Sequence, residues 1–138
     1  MAYAQWLYIL IQAKLSSGEI SIKNVNLNWY VYKGKFFKYN NKDDEILTDE
    51  IKKIVIASNK SAGIASCGRS DASSGTECNL DLYDGDVKIC QIYWNCPWGS
   101  KTNTFTINDV DDNYIVQQTG ANLDSGALGN VTVKVAKS

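Results

Sequence analysis

The sequence predicts an all-β protein, a sandwich of two packed sheets whose strands are mostly antiparallel. About eight short apolar segments are separated by turns at regular spacing, which is typical of a β-sandwich. No segment has the periodicity of an amphipathic helix, so we expect helix in less than about a tenth of the residues. With 138 residues, a single domain over residues 1–138 is expected.

The first strand is expected over residues 3–12, where an apolar run precedes a serine–glycine turn. In the second strand, Ile20 and Ile22 alternate with polar neighbours, but the apolar set that starts at Val25 is out of phase with them. A change of phase turns one set of side chains to the other face of the sheet. We therefore predict a β-bulge or a break at residues 23–24.

The middle of the chain is polar and poorly patterned. Gly34 ends the second apolar run, and residues 36–37 begin another short segment. Residues 38–53 are rich in charge, and we expect a solvated loop there, with one short helical turn between Glu45 and Lys53 as an alternative for part of it. A short buried strand is expected at residues 54–56.

Small and polar residues form the stretch CGRSDASSGTE at residues 67–77, around Arg69 and Asp71. One interpretation is a long surface turn in which these two side chains pair with each other or with the backbone. The other is a binding loop, since connecting segments carry many functional residues. The residues themselves favour neither interpretation.

The second half of the chain contains the clearest strand signals. Residues 79–83 and 87–94 alternate in polarity and flank an aspartate–glycine turn at residues 84–86, which predicts a β-hairpin. A later strand is expected at residues 114–118. In the final strand, the valines at positions 131, 133 and 135 alternate with polar residues, which places the valines on one face.

Residues 93–105, YWNCPWGSKTNTF, contain the only proline of the chain between two tryptophans. Proline removes a backbone donor and glycine permits a sharp turn, so this stretch does not fit the middle of a paired strand. We predict that a strand ends near Trp94, that residues 96–99 form a rigid corner, and that a new strand covers residues 102–107.

Such a corner would hold Trp98 near the surface, with Lys101 a few residues away. A fixed aromatic ring beside a cation is typical of a recognition site. The alternative is a buried corner tryptophan, because tryptophan side chains are highly buried on average. Trp94, on the strand side of the corner, is expected to be the buried member of the pair.

Composition excludes several classes of function. A net charge of −1 argues against nucleic acid and against non-specific attraction to anionic membranes. The chain has no histidine, which removes Ser-His-Asp and Cys-His catalysis and histidine-based zinc sites. Acids are plentiful, but no spacing singles out a catalytic pair. We therefore expect no enzyme, no metal and no cofactor.

The cysteines and the N-terminus bear on where the protein acts. Cys67, Cys78, Cys90 and Cys96 match no metal spacing and no CxxC pair, so free buried thiols are expected, with one disulfide as the alternative for a released protein. The first 14 residues lack a basic segment, and their apolar run is too short for a signal peptide or a membrane span.

The chain has more aromatic residues than a core of this size needs, with four tryptophans and eight tyrosines. Since the tryptophans cannot all be central in a small sandwich, we expect some of them to be exposed. Exposed aromatics on a β-scaffold suit either stacking on sugar rings, as in a lectin, or seating in the headgroup region of a membrane.

Four stretches, MAYAQW, CGRSDASSGTE, YWNCPWGSKTNTF and ANLDSGALG, closely resemble the aegerolysins, small acidic β-sandwich proteins of fungi and bacteria. The four blocks spread from the first residue to residue 129, so the resemblance covers the whole domain. Residues 30–60 match no motif of that family, and Cys78 and Cys90 also lie outside the blocks, which leaves a disulfide between them open.

The resemblance implies a lipid-binding protein that recognises sphingolipid headgroups in membranes, notably sphingomyelin with cholesterol or ceramide phosphoethanolamine. It also implies a larger partner, either a perforin-like protein that supplies membrane-spanning strands or an insecticidal toxin. We expect release without a classical signal peptide and action at the surface of the target membrane. By motif, Trp98 and Lys101 would belong to the headgroup site, Trp6 and Trp29 to the aromatic membrane-facing surface, and Arg69 and Asp71 to the serine-rich loop.

Overall fold

The computed structural model describes residues 5–26, 34–38, 41–68, 75–99 and 101–137. These residues form eleven strands and one helical turn, α1 (Thr48–Ile51). The strands in chain order are β1 (Trp6–Lys14), β2 (Glu19–Asn26), β3 (Lys35–Lys38), β4 (Asn41–Ile46), β5 (Val55–Ala57), β6 (Ser61–Cys67), β7 (Thr76–Asp84), β8 (Val87–Cys96), β9 (Thr104–Asn108), β10 (Tyr114–Thr119) and β11 (Gly129–Lys137).

The strands form two packed sheets, which confirms the predicted sandwich. One sheet has six strands in the order β10-β11-β1-β6-β3-β4, and the other has five in the order β5-β2-β7-β8-β9. Within the described part of the chain the pairs are antiparallel except for β1 and β11, two interior strands of the larger sheet, which run parallel. Strand accounts for 65% and helix for 3% of the described residues, so the low helix content is also confirmed.

The core lies between the sheets and is built by strict alternation along the strands. In β1, Leu7, Ile9 and Ile11 are buried, and they face the opposite sheet together with buried side chains such as Leu80 and Ile92. Burying an aliphatic side chain of this size stabilises the fold by about 1.5–3 kcal/mol. The final strand follows the predicted pattern, because its three valines are buried.

The phase change in β2 is a β-bulge, as predicted. Lys23 pairs with Asp81 and Asn26 with Asn79, so two residues of β2 oppose a single residue of β7. Asn24 adopts a φ of 56°, a left-handed conformation that asparagine tolerates better than most residues. Its side-chain amide donates to Asp81 Oδ2 over 2.7 Å and fixes the bulge to the neighbouring strand.

Two expectations for the middle of the chain were wrong in part. Residues 38–53 contain β4 in addition to the expected helical turn α1, so they are not a continuous loop. Edge strands tolerate charged side chains because one side of the strand faces solvent, and β4 lies at the end of its sheet. The strand expected at residues 54–56 is β5, in which Ile56 is buried but Val55 is exposed.

The sequence interpretation missed β6 as well as β4, and the described residues form eleven strands where about eight were expected. The strand consists of small residues around a single isoleucine, so its alternation in polarity is weak. The clear hairpin was predicted correctly, since β7 and β8 pair in antiparallel fashion around a two-residue turn at Gly85 and Asp86.

All four cysteines are buried and free, which confirms the expected thiols and leaves no disulfide among them. Burial raises the pKa of the Cys78 and Cys90 thiols to about 12, because the charged thiolate is poorly solvated inside the protein. In the described ranges, no helix has the length and apolar character needed to cross a bilayer.

Candidate functional site

The corner predicted at residues 96–99 is present between β8 and β9. β8 ends at Cys96, Pro97 prevents further pairing, and Gly99 has a φ of 93°, which favours glycine. The next strand begins at Thr104, two residues later than expected. The bend between these two strands therefore includes Trp98 and Lys101.

The two tryptophans that flank the corner differ completely in exposure. Trp98 is 46% exposed, whereas Trp94, four residues earlier, is 0% exposed. The alternative of a buried corner tryptophan is therefore wrong for Trp98, and its role in recognition stays a prediction. Lys101 is also exposed and lies in the same bend.

Close contacts at two glycines fix the base of the corner. A Cβ atom at Gly75 would collide with the carbonyl oxygen of Cys96 and crowd Pro97, so only glycine lets β7 approach the end of β8. At Gly34, which has a φ of 88°, a Cβ atom would collide with the carbonyl oxygen of Cys67. The ends of β3, β6, β7 and β8 therefore converge here, and we call this end of the sandwich the corner end.

A buried chain of hydrogen bonds joins the two sheets beneath the corner. The Trp94 indole N–H donates to Thr76 Oγ1 over 3.0 Å, and the hydroxyls of Thr76 and Ser66 are 2.7 Å apart. Ser66 donates to the Lys35 carbonyl oxygen over 2.8 Å, so the Thr76 hydroxyl must donate to Ser66. Every donor in this chain is used, which avoids the cost of an unsatisfied buried polar group. The Phe36 ring packs edge-on against Trp94 with the ring centroids 6.2 Å apart.

Asn103 attaches a second loop to the corner. Its side chain is buried, and its amide nitrogen Nδ2 donates to the carbonyl oxygens of Asn122 over 2.9 Å and Gly126 over 3.1 Å. Its backbone N–H donates to the Asp124 carbonyl oxygen over 3.0 Å. The block ANLDSGALG therefore contributes a loop that braces the corner, a role that the sequence interpretation did not assign.

The braced loop also has an exposed apolar residue that the sequence analysis missed. Leu123 is 51% exposed and lies between Asn122 and Asp124, two of the residues whose carbonyl oxygens accept bonds from Asn103. Its backbone is therefore held next to the bend that contains Trp98. The only signal in the sequence was a leucine inside an otherwise polar turn.

Trp6 lies at the start of β1 on the outer face of the six-stranded sheet. It pairs with Cys67 of β6, and it packs with Tyr8 against a small cluster that includes Phe37 and Ala65. The Lys42 ammonium group lies 5.4 Å from the centroid of the Trp6 ring, within cation–π range. Trp6 is thus partly buried and beside a cation, and its predicted contact with a membrane stays a prediction.

Three of the predicted site residues, Trp29, Arg69 and Asp71, lie outside the described residues. Cys67 and Gly75, which flank the serine-rich stretch on either side, lie at the corner end, where their carbonyl oxygens are close to Gly34. The structure does not test the three side chains.

The corner end offers an exposed indole, an exposed ammonium group and an apolar side chain on braced loops. Such a surface can contact an anionic group, a cationic group and an apolar layer at once. Across the described residues, no group of three or more potential metal ligands is brought together.

Comparison with known proteins identifies the family. The aegerolysin family model matches residues 4–138. The chain belongs to the aegerolysin family. This confirms the resemblance carried by the four sequence blocks.

The relatives of this aegerolysin include fungal proteins of similar length. Asp-hemolysin from Aspergillus fumigatus is 43% identical over 136 residues, which cover 99% of this chain and 95% of the relative. Ostreolysin A6 from Pleurotus ostreatus is 40% identical over 140 residues, which cover 99% of this chain and 98% of the relative.

Solved structures share the fold. The crystal structure of RahU protein in complex with Tris superposes with a TM-score of 0.91 at 37% identity, and the match covers 99% of this aegerolysin and 98% of RahU. IP-1A from Alcaligenes faecalis gives a TM-score of 0.87 at 40% identity, with 99% and 94% of the two chains covered.

Proposed function

We propose that this aegerolysin is a membrane-lipid-binding protein, not an enzyme, and that it recognises sphingolipid headgroups at the corner end. The candidate lipids are sphingomyelin in the presence of cholesterol and ceramide phosphoethanolamine. The single observation that carries the proposal is the exposure of Trp98 and Lys101 on a bend whose base is rigid. A hemolysin among the relatives agrees with action on membranes.

The chemistry of a phospho-headgroup fits this pair of residues. The phosphate is an anion that the Lys101 ammonium group can contact by a charge-assisted hydrogen bond. The amine of the headgroup is a cation that can lie over the face of the Trp98 indole. Selectivity among lipids must come from such polar contacts, because apolar anchoring does not distinguish one lipid from another.

The remaining binding energy comes from apolar contacts with the membrane interface. A tryptophan that buries roughly 100 Å² there contributes about 2–3 kcal/mol. Two or three anchors of this kind give micromolar affinity at best once the costs of association are counted. Trp98 and Leu123 are the described candidates at the corner, and Trp6 and Trp29 are the further candidates from the sequence.

We also propose a division of labour in lysis. This aegerolysin supplies targeting, and a larger partner of the perforin-like or insecticidal toxin class supplies the membrane-crossing part. It is released from the producing cell and acts at the surface of the target membrane. Efficient dye release from liposomes by the purified chain alone, at concentrations that only saturate binding, would contradict this division.

The test of lipid binding is a liposome flotation assay with three vesicle compositions. One contains sphingomyelin and cholesterol, one contains ceramide phosphoethanolamine, and one is phosphatidylcholine alone. We expect co-flotation with at least one of the sphingolipid vesicles and none with phosphatidylcholine. Absence of flotation with retention on a glycan array would instead favour a carbohydrate-binding module that uses the same exposed aromatics.

A further inference from the structure

Residues 122–128, between β10 and β11, form a loop that is folded around its first residue, and we call it the asparagine loop. The Asn122 backbone N–H donates to the Leu128 carbonyl oxygen over 3.0 Å, which closes the loop at its base. The Asn122 side-chain nitrogen Nδ2 donates to the carbonyl oxygens of Ser125 over 3.1 Å and Ala127 over 2.9 Å. These bonds lie within the loop, so it holds its own shape.

The asparagine loop contacts the bend between β8 and β9 on both sides of Trp98 and Lys101. Before the two residues, the Cys96 thiol donates to the Gly126 carbonyl oxygen over 3.3 Å. After them, Asn103 Nδ2 donates to the same oxygen over 3.1 Å. A single carbonyl group of the loop thus joins the two ends of the bend.

Asn103 makes the stronger part of this connection, because an amide N–H is a better donor than a thiol. Its side chain is 5% exposed, and Nδ2 also donates to the Asn122 carbonyl oxygen over 2.9 Å. Its backbone N–H donates to the Asp124 carbonyl oxygen over 3.0 Å. The reverse orientation of the amide would place its oxygen against two carbonyl oxygens, so the side chain has one favourable orientation.

The connection is separate from the bonds that fold the loop. The bonds inside the asparagine loop do not involve the Asn103 side chain, and Leu128 at its end is fully buried in the core. Substitution of Asn103 by alanine removes two of its three bonds to the loop. We therefore expect the loop to detach from the bend while it keeps its internal bonds.

The two exposed apolar side chains of the corner end lie on the two segments that Asn103 joins. Trp98 is on the bend, and Leu123 is on the asparagine loop. Two anchors on independently moving loops each lose conformational freedom when they bind, whereas anchors on joined loops are preorganised and lose less. The joined loops therefore favour simultaneous contact of both anchors with one membrane surface.

We propose that Asn103 is a positioning residue of the lipid site, which holds Trp98, Lys101 and Leu123 in a fixed mutual arrangement so that they bind as one unit. The inference rests on the proposed lipid binding at the corner end. Asn103 acts through the asparagine loop and not by touching lipid, because its side chain is buried between the loop and the bend.

The test measures the same substitution in two backgrounds by titrating vesicles in the flotation assay, with sphingomyelin and cholesterol or with ceramide phosphoethanolamine. Asn103→Ala should weaken vesicle binding about tenfold. Leu123→Ser should weaken binding roughly fivefold in the unmodified chain but less than about twofold in the Asn103→Ala chain, because the leucine is then no longer held beside the bend. A full fivefold loss in both backgrounds would overturn the positioning role.

Asn108→Ala is the matched control at the other end of β9. Its Nδ2 also donates two bonds, to Gln91 Oε1 over 3.3 Å and to Thr106 Oγ1 over 3.2 Å. Asn108→Ala should leave vesicle binding and the effect of Leu123→Ser unchanged. Equal losses of binding in Asn103→Ala and Asn108→Ala would also overturn the proposal.

Amide hydrogen exchange tests the connection without lipid. In the unmodified chain, the Asn103 and Asn122 backbone amides should exchange about a hundredfold more slowly than in an unfolded peptide. In Asn103→Ala, the amide at position 103 should exchange at least about tenfold faster, whereas the Asn122 amide should be unchanged.

The exchange measurement distinguishes the two ways of failing. Fast exchange of the Asn103 amide in the unmodified chain would show that the loops are not joined, even if the variants do not fold. Absence of flotation by the unmodified chain would instead be a failure of the proposed lipid binding, and amide exchange would still decide whether Asn103 joins the two loops.

Discussion

Two layers of the corner end are built from neighbouring residues but differ in burial. The inner layer consists of Trp94, Thr76 and Ser66, which are fully or almost fully buried and joined by hydrogen bonds that connect the two sheets. The outer layer consists of Trp98, Lys101 and Leu123, all of which are exposed. A span of four residues separates the two tryptophans.

The difference in burial separates the side chains that stabilise the fold from those that are available for recognition. Removal of an inner-layer side chain creates a cavity or an unsatisfied donor, both of which destabilise the fold. Removal of an outer-layer side chain changes a surface that is already in water, so the folded state loses little. Substitutions in the inner layer should therefore lower the stability of the fold, whereas substitutions in the outer layer should weaken binding and leave the stability nearly unchanged.

The largest effect is expected from the two tryptophan substitutions compared with each other. Trp94→Ala should lower the free energy of unfolding by about 3–5 kcal/mol, because it leaves a large cavity and removes the indole N–H from Thr76. Trp98→Ala should shift the melting temperature by only a few degrees, and it should weaken binding to sphingolipid vesicles at least as much as Lys101→Ala does. Thermal unfolding and flotation measure the contrast. Early melting of Trp98→Ala with normal melting of Trp94→Ala would show that the layers are assigned the wrong way round.

Lys101→Ala should weaken binding to sphingolipid vesicles by about ten- to a hundredfold. The substitution removes a charge-assisted contact with the headgroup, which corresponds to roughly 1.5–3 kcal/mol. The unfolding transition should be unchanged because the side chain is exposed. Lys134→Ala, an exposed lysine on β11, is the matched control and should bind normally. Equal losses of vesicle binding in the two variants would mean that Lys101 contributes only through the net charge of the protein and makes no specific contact.

Thr76→Val should lower the free energy of unfolding by about 1–3 kcal/mol at nearly constant side-chain volume. Valine leaves the Trp94 indole N–H without its acceptor and removes the donor to the Ser66 hydroxyl, which keeps its bond to the Lys35 carbonyl oxygen. Urea denaturation gives the stability change, and flotation of the folded variant should show unchanged lipid affinity. A variant as stable as the unmodified chain would mean that the buried hydrogen-bond chain contributes nothing net.

The stability of the fold should decrease as pH rises from about 9 toward 12. The Cys78 and Cys90 thiols have pKa values raised from 9.0 to about 12 in the folded state, so the unfolded chain loses their protons first. Their contribution is fully present below pH 9 and is lost as pH rises through the folded pKa values, on the order of 1 kcal/mol for each thiol at pH 10. The urea midpoints of unfolding at pH 8 and pH 10 measure this loss of stability. Cys78→Ala and Cys90→Ala should each reduce the difference between the two midpoints. A midpoint that does not change with pH would contradict it.

Leu123→Ser should have the smallest effect, a loss of roughly fivefold in vesicle binding. The side chain is half-exposed, so membrane contact would bury only part of it, which corresponds to about 1 kcal/mol. Val87→Ser removes an exposed apolar residue at the opposite end of β8 and is the matched control. If both substitutions leave flotation unchanged, Leu123 does not belong to the binding surface.

The sequence allowed the features that rest on local rules to be predicted. Proline and glycine predicted the position of the corner, and an aspartate–glycine pair predicted the β7–β8 hairpin. A change of phase in the apolar pattern predicted the bulge beside Asn24. Each of these signals is a backbone preference of residues that are adjacent in the chain, so no knowledge of the tertiary structure was needed.

The missed features depend on contacts between distant parts of the chain. β4 is charged and is a strand only because β3 offers it a partner, and β6 has too weak a pattern to be recognised alone. Asn103 looks like any polar loop residue until the loop at residues 122–126 is placed beside it. The sequence left open whether Trp98 is exposed or buried, and the folded structure shows that it is exposed.

The parallel pairing of β1 with β11 has a consequence for how the chain folds. Leu7 is paired with Gly129, so two neighbouring interior strands of the larger sheet are separated by roughly 120 residues of chain. These two strands cannot pair before the two ends of the intervening chain have been brought together, which is costly in entropy and slow. We expect refolding on a timescale of milliseconds to seconds. Deletion of β11 should leave an aggregation-prone chain, because it removes an interior strand of a sheet and not an edge strand.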